Sequence, residues 1–162
     1  MTSAAETQTQ VHQVEIAATP DQVWAALTSS EWTERYGYGG RVEYDLRPGG
    51  AYRAFATADM LAFGAPEVMV DGEVIEAEAP RRLVQTWHAT WGEATAAEPA
   101  RRLTIELAPA GIGTQVTLVH ELDGAPATAA IVGGRVPEMG GGWRFVLDDL
   151  KRVLEEERRP AT

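Results

Sequence analysis

Hydrophobic positions recur along this chain with two different periods, and the change from one to the other divides it into elements. Residues 11 to 18, VHQVEIAA, alternate, with Val14 and Ile16 on one side and Gln13 and Glu15 on the other. Period two is the signature of a half-buried strand. In TPDQVWAALT the spacing becomes helical. Thr19 is placed to cap, Pro20 stands at the first helical position and Gln22 follows three residues after the cap, a threonine version of the capping box. Val23, Trp24 and Leu27 make one short apolar stripe on that helix. SSEWTERYGYGG predicts a second short helix, capped by Ser29 or Ser30 and ended by Gly37.

From residue 41 period two returns and holds for roughly eighty residues. RVEYDL, AYRAFA, VMVDGEVIEAEAP, RRLVQTWHATW, ARRLTIELAPA and GTQVTLVHEL read as strands, with RPGG and AGIG as turns between them. TADMLAFGAPE breaks the alternation and predicts a lid or a single helical turn. DGAPATAAIVGGRV, residues 123 to 136, is small and glycine-rich and predicts a loop with one helical turn at most. The chain then closes on a helix whose Trp143, Val146, Leu147, Leu150, Val153 and Leu154 form one apolar face, opposite Asp148, Asp149, Lys151, Arg152 and Glu155 to Glu157. Burying those six apolar side chains contributes on the order of ten kcal/mol before entropy is subtracted, so the helix is expected to lie on the sheet. Gly140, Gly141 and Gly142 precede it, and they fit either a mobile gate formed by residues 124 to 142 or close backbone packing at the helix start.

Composition narrows the class. With 162 residues and 44% hydrophobic content the chain is sized for one domain, taken as residues 11–159 after a short disordered lead, residues 1–10. MTSAAETQTQ has neither a basic start nor an apolar stretch, so a signal peptide is not expected. The 24 acidic against 14 basic side chains give a net charge of -10, which repels phosphate backbones and anionic membranes, and no nucleic-acid partner is expected. No window approaches the roughly 18 apolar residues of a membrane span. The absence of cysteine removes disulfides and thiolate chemistry and fits a cytoplasmic location.

Five segments, IAATPDQVWAALTSS, DLRPGGAYR, GEVIEAEAPRRLVQTW, GTQVTLVHEL and GGGWRFVLDDLKRVLE, stand in an order that resembles the activator-of-heat-shock-ATPase homologue branch of the START-like superfamily, also called SRPBCC. The likeness runs from residue 11 to about residue 157. It implies an α+β helix-grip fold: a curved antiparallel sheet wrapped round the long C-terminal helix, two short helices after the first strand, and a cavity for an apolar ligand between sheet and helix. The superfamily includes lipid-transfer domains, steroid-binding proteins, polyketide aromatase/cyclases and self-sacrificing resistance proteins, so membership does not fix a function.

Candidate chemistry is sparse. Serine occurs only at positions 3, 29 and 30, with no GxSxG elbow, and the three histidines, His12, His88 and His120, show no metal-ligand spacing. No P-loop or GxGxxG setting is present, so no metal and no cofactor is expected. His120 shares parity with Val116 and Leu118 and is expected to face inward, either as a group that orients or protonates a ligand or as a core histidine bonded to a neighbour. Gln85, between Leu83 and Trp87, is a second polar group on an apolar side. The aromatics Trp32, Tyr36, Tyr52, Trp87, Trp91 and Trp143 combine apolar area with polar ring edges and, with Gln85 and His120, are the expected ligand-binding residues. Arg53 and Glu73 are expected as a solvated cross-strand pair, and the Arg81–Arg82 and Arg101–Arg102 pairs as solvated strand ends. The expectation is a monomer or weak homodimer that binds a small hydrophobic molecule. Alternatives are a polyketide-type cyclase or dehydratase, an antibiotic self-resistance protein, and a co-chaperone-like ATPase activator. No catalytic residue is assigned.

Overall fold

Seven antiparallel strands form a single curved sheet, and one long helix lies across its inner face. The computed structural model describes residues 9–136 and 140–158. The strands are β1 (Thr9–Ile16), β2 (Val42–Tyr44), β3 (Ala51–Phe55), β4 (Val68–Glu78), β5 (Arg82–Ala89), β6 (Arg101–Ala110) and β7 (Gly113–Glu121), in the spatial order β1-β7-β6-β5-β4-β3-β2. The helices are α1 (Pro20–Thr28), α2 (Ser30–Thr33), α3 (Ala58–Ala62), α4 (Glu93–Ala96), α5 (Pro126–Val132) and α6 (Gly142–Arg158). This is the α+β helix-grip arrangement.

Local chemistry explains the start of α1. The Thr19 hydroxyl accepts from the Gln22 amide at 3.2 Å and the Gln22 side chain accepts from the Thr19 amide at 2.9 Å, which satisfies two donors that have no partner inside the helix. Leu147, Leu150, Val153 and Leu154 are buried on α6, and Trp143 and Val146 pack against the same core from partly buried positions. The polar flank of α6 also has a structural task. Arg144 donates to the Gln13 carbonyl at 3.0 Å, Lys151 to the Glu15 carbonyl at 2.7 Å, and Glu155 accepts from the Ala17 amide at 3.0 Å. These three side chains line one side of the helix and bond two carbonyls of the edge strand β1 and the amide just past its end. At the opposite edge of the sheet the Ser30 hydroxyl accepts from the Val42 amide at 2.9 Å and donates to the Val42 carbonyl at 2.7 Å.

Several elements differ from the sequence reading. Thr9 and Gln10, assigned there to the lead, open β1; the rest of the lead lies outside the described residues. The second short helix ends at Thr33, before Gly37, and Ser29 is its N-cap without a side-chain bond. The segment expected to be a loop holds the seven-residue α5. Its start is capped from a distant segment: Glu98 accepts from the Ala127 amide at 2.7 Å, the Thr128 amide at 3.0 Å and the Thr128 hydroxyl at 2.7 Å. Burial of the Glu98 carboxylate works against its charged form, but these three donors outweigh it and hold its pKa below the ordinary value. Arg53 lies opposite Asp71 rather than Glu73, and its guanidinium reaches Glu43 at 3.5 Å; the sheet register offsets the expected pair by two residues. Arg82 is bridged to Glu76 and Glu106, so that strand end is an ion-pair cluster.

Candidate ligand-binding cavity

Between the inner face of β2–β7 and helix α6 lies a cavity of about 490 Å³. Its floor follows from strand alternation: Tyr44, Tyr52, Ala54, Val70, Trp87, Leu103, Ile105 and Leu118 are the inward positions of six successive strands. Its roof is Trp143, Val146 and Leu147 from the first turns of α6. Leu27 of α1, Thr33 of α2, the Tyr36–Gly40 turn, Met60 of α3 and Ile131 and Val132 of α5 close the sides. No charged side chain belongs to the wall among the described residues.

Five of the eight residues expected to bind ligand, Tyr36, Tyr52, Trp87, Trp91 and Trp143, line this cavity. Trp87 is at the centre of their cluster, with its ring 5.8 Å from Trp91 and 5.5 Å from Trp143 between centroids. Trp32, Gln85 and His120 are not part of the wall. Trp32 packs against the core from outside, with the Arg35 guanidinium 4.4 Å from its ring centroid. Gln85 is fully buried, but its carbonyl oxygen accepts from the Tyr44 hydroxyl at 2.6 Å and its amide donates to the Thr86 carbonyl at 3.2 Å. His120 is also fully buried and faces inward as its parity predicts; its Nδ1 accepts from the Trp143 indole at 3.0 Å, and the rings of Trp87 and Trp143 lie against it. Burial, and next to it the nearby His12, push the His120 pKa down to about 3, so the imidazole is neutral.

Most polar groups of the wall are committed within the protein. Tyr36 donates to the Ala26 carbonyl at 2.8 Å, Tyr44 donates to Gln85, and Tyr38 accepts from the Gly142 amide at 3.2 Å. Burial, followed by the neighbouring phenol of Tyr52, raises the pKa values of Tyr36 and Tyr44, and burial alone raises that of Tyr52, so all three stay protonated. Thr33 differs. Its hydroxyl is buried and makes no hydrogen bond with the described protein, a condition that costs about 1–3 kcal/mol. Sequence reasoning passed over Thr33 because a four-residue helix has too few positions to show a period. Tyr44, also passed over, was within reach of the period-two pattern it shares with Val42.

The cavity wall is mainly apolar, and the frame that builds it recurs in other proteins. Residues 17–155 match the model of the family described as Activator of Hsp90 ATPase homolog 1-like protein. The chain belongs to that family. No curated protein matches it. Among solved structures, that of NE0264 from Nitrosomonas europaea is 22% identical with a TM-score of 0.68, the alignment covering 95% of this chain and 97% of that one. CalU16 from Micromonospora echinospora is 23% identical with a TM-score of 0.64, over 92% of this chain and 77% of that one. DynU16, from the dynemicin biosynthetic locus, is 22% identical with a TM-score of 0.67, over 93% of this chain but 48% of that one. At these identities the likeness establishes a common fold for this family member. Among the described residues, no helix is long and apolar enough to cross a membrane, and no group of three or more histidine and carboxylate side chains is placed to hold a metal ion.

Proposed function

We propose that this protein binds a small hydrophobic molecule in the cavity between its sheet and α6. The observation that carries this reading is a hollow of about 490 Å³ walled mainly by aromatic and aliphatic side chains. A ligand of drug-like size fits such a volume, and removing its apolar surface from water supplies the affinity. Chemistry on the ligand draws no support from the wall: it holds no carboxylate or amine among the described residues, burial holds Tyr36, Tyr44 and Tyr52 protonated, and His120 is screened by Trp87 and Trp143. A cyclase or dehydratase needs an acid or base within hydrogen-bond reach of the reacting atom.

N-phenyl-1-naphthylamine, an uncharged dye that fluoresces in apolar surroundings, tests the proposal. Saturable binding of one dye per chain is expected, weakened about tenfold or more in Val146→Phe, which fills the roof. Binding that does not saturate, or that Val146→Phe leaves unchanged, would show that the dye resides elsewhere and would remove the proposal.

A further inference from the structure

We infer that Thr33 is the polar anchor of the cavity, and that the ligand is an uncharged apolar molecule carrying an acceptor oxygen, of the ketone class, which takes a hydrogen bond from the Thr33 hydroxyl. This rests on the cavity being the ligand site. Two buried side-chain polar atoms lack a partner among the described residues, Thr33 Oγ1 and His120 Nε2, and of the two residues only Thr33 belongs to the wall. Two of the wall's tyrosine hydroxyls spend their proton inside the protein, Tyr36 on the Ala26 carbonyl and Tyr44 on the Gln85 side-chain oxygen, while the Tyr38 oxygen accepts from the Gly142 amide.

A threonine near a helix end ordinarily relieves its hydroxyl by bonding the carbonyl three or four residues back. Thr28 does so, donating to the Trp24 carbonyl at 2.9 Å, but Thr33 does not: Ser29 O already accepts from both the Trp32 and Thr33 amides, and the Thr33 hydroxyl bonds neither it nor Ser30 O. A buried donor without an acceptor is the rarer and costlier condition, so the missing partner is an acceptor. Threonine occupies two χ1 rotamers in helices, and one step between them exchanges hydroxyl and methyl, which lets the hydroxyl turn toward a ligand on the cavity side. The wall offers no counter-charge, so an ionised headgroup would be left unpaired in an apolar enclosure, and the ligand is therefore neutral.

Two dyes separate this inference from the reading it rests on. Prodan is an uncharged naphthalene with a ketone, and its emission moves to the red when the ketone accepts a hydrogen bond. N-phenyl-1-naphthylamine has no such oxygen. In Thr33→Val, which keeps the shape and removes the hydroxyl, Prodan affinity is expected to fall about tenfold and its bound emission to move to the blue. N-phenyl-1-naphthylamine affinity is expected to stay level, and Thr33→Ser to retain both properties for Prodan. The melting temperature of ligand-free Thr33→Val is expected to equal or exceed that of the wild type, because an unbonded buried hydroxyl has been removed. Equal Prodan affinity and emission in wild type and Thr33→Val would overturn the anchor while leaving the cavity in place. A lower melting temperature with both dyes weakened alike would make Thr33 a packing residue and overturn it equally. Failure of both dyes to bind the wild type would remove cavity and anchor together.

Discussion

His120 shows how much of a residue's chemistry is set by what touches it. The Trp143 indole donates to Nδ1, so the neutral ring carries its proton on Nε2, and Nε2 faces no acceptor among the described residues. The ring stands edge-on to Trp87, 5.2 Å between centroids at 83°. Protonation would put a charge in this enclosure and replace the acceptor that holds Trp143 with a donor. The folded-state pKa, about 3, lies below the ordinary value of 6.5, so the unfolded chain takes up the proton first. The stability from a neutral His120 is complete above pH 6.5 and is lost as the pH falls toward 3. Between pH 7.5 and pH 5 the wild type should lose about 2 kcal/mol that His120→Gln, which keeps an acceptor but does not titrate, retains. Urea denaturation at both pH values checks this, and parallel losses would show that His120 does not titrate on unfolding. Parity along β7 placed this side chain inside; its bond to a tryptophan 23 positions away was beyond the reach of parity. Gln85 follows the same rule, since Tyr44, 41 positions away, takes the oxygen that a ligand would have needed.

At the scale of elements, the closing helix is the part most fully readable in the chain. Its apolar face needs only the 3.6-residue period, and the buried positions fall on it. The glycines before it are less uniform than their repetition implies. A Cβ on Gly142 would stand 2.1 Å from the Val132 carbonyl oxygen, and its φ of +68° is a conformation other residues rarely adopt. A Cβ on Gly141 would meet the side chain of Phe145 instead, at 2.7 Å. Close packing of α6 against the end of α5 therefore accounts for Gly142. Gly142→Ala should destabilise the protein by more than about 2 kcal/mol, and Gly141→Ala by clearly less. Equal midpoints for the two variants in urea would contradict the close approach. Helix α5 was the element least visible in the sequence, because its cap is Glu98, some 30 positions away, and capping signals are sought only next to the helix they serve.

The whole molecule decides what the sheet exposes. Seven strands that do not close into a barrel leave two edges, and an uncovered edge invites pairing with another chain. Arg144 and Lys151 bond two carbonyls of β1, Glu155 bonds the Ala17 amide just past it, and Ser30 occupies Val42 of the short β2. The prediction is a monomer at roughly 100 µM by sedimentation equilibrium, with concentration-dependent association appearing once Arg144 and Lys151 are both changed to alanine. A wild-type dimer would show that the edges are not closed in this way. Both covering sets join residues more than ten positions apart, and the Arg144 and Lys151 bonds span more than 130.

By itself the sequence determined the number and chain order of the principal strands, the inward side of β1, β5 and β7, and the amphipathic helix that must lie on them. Those follow from period, capping and turn chemistry, which act over a few residues. Tertiary structure alone decided that the packing leaves a hollow, which polar groups of its wall are already bonded, and that Thr33 is left over. Volume between surfaces and hydrogen-bond satisfaction are sums over segments that meet only in the fold, and no local window of the chain contains all of their terms.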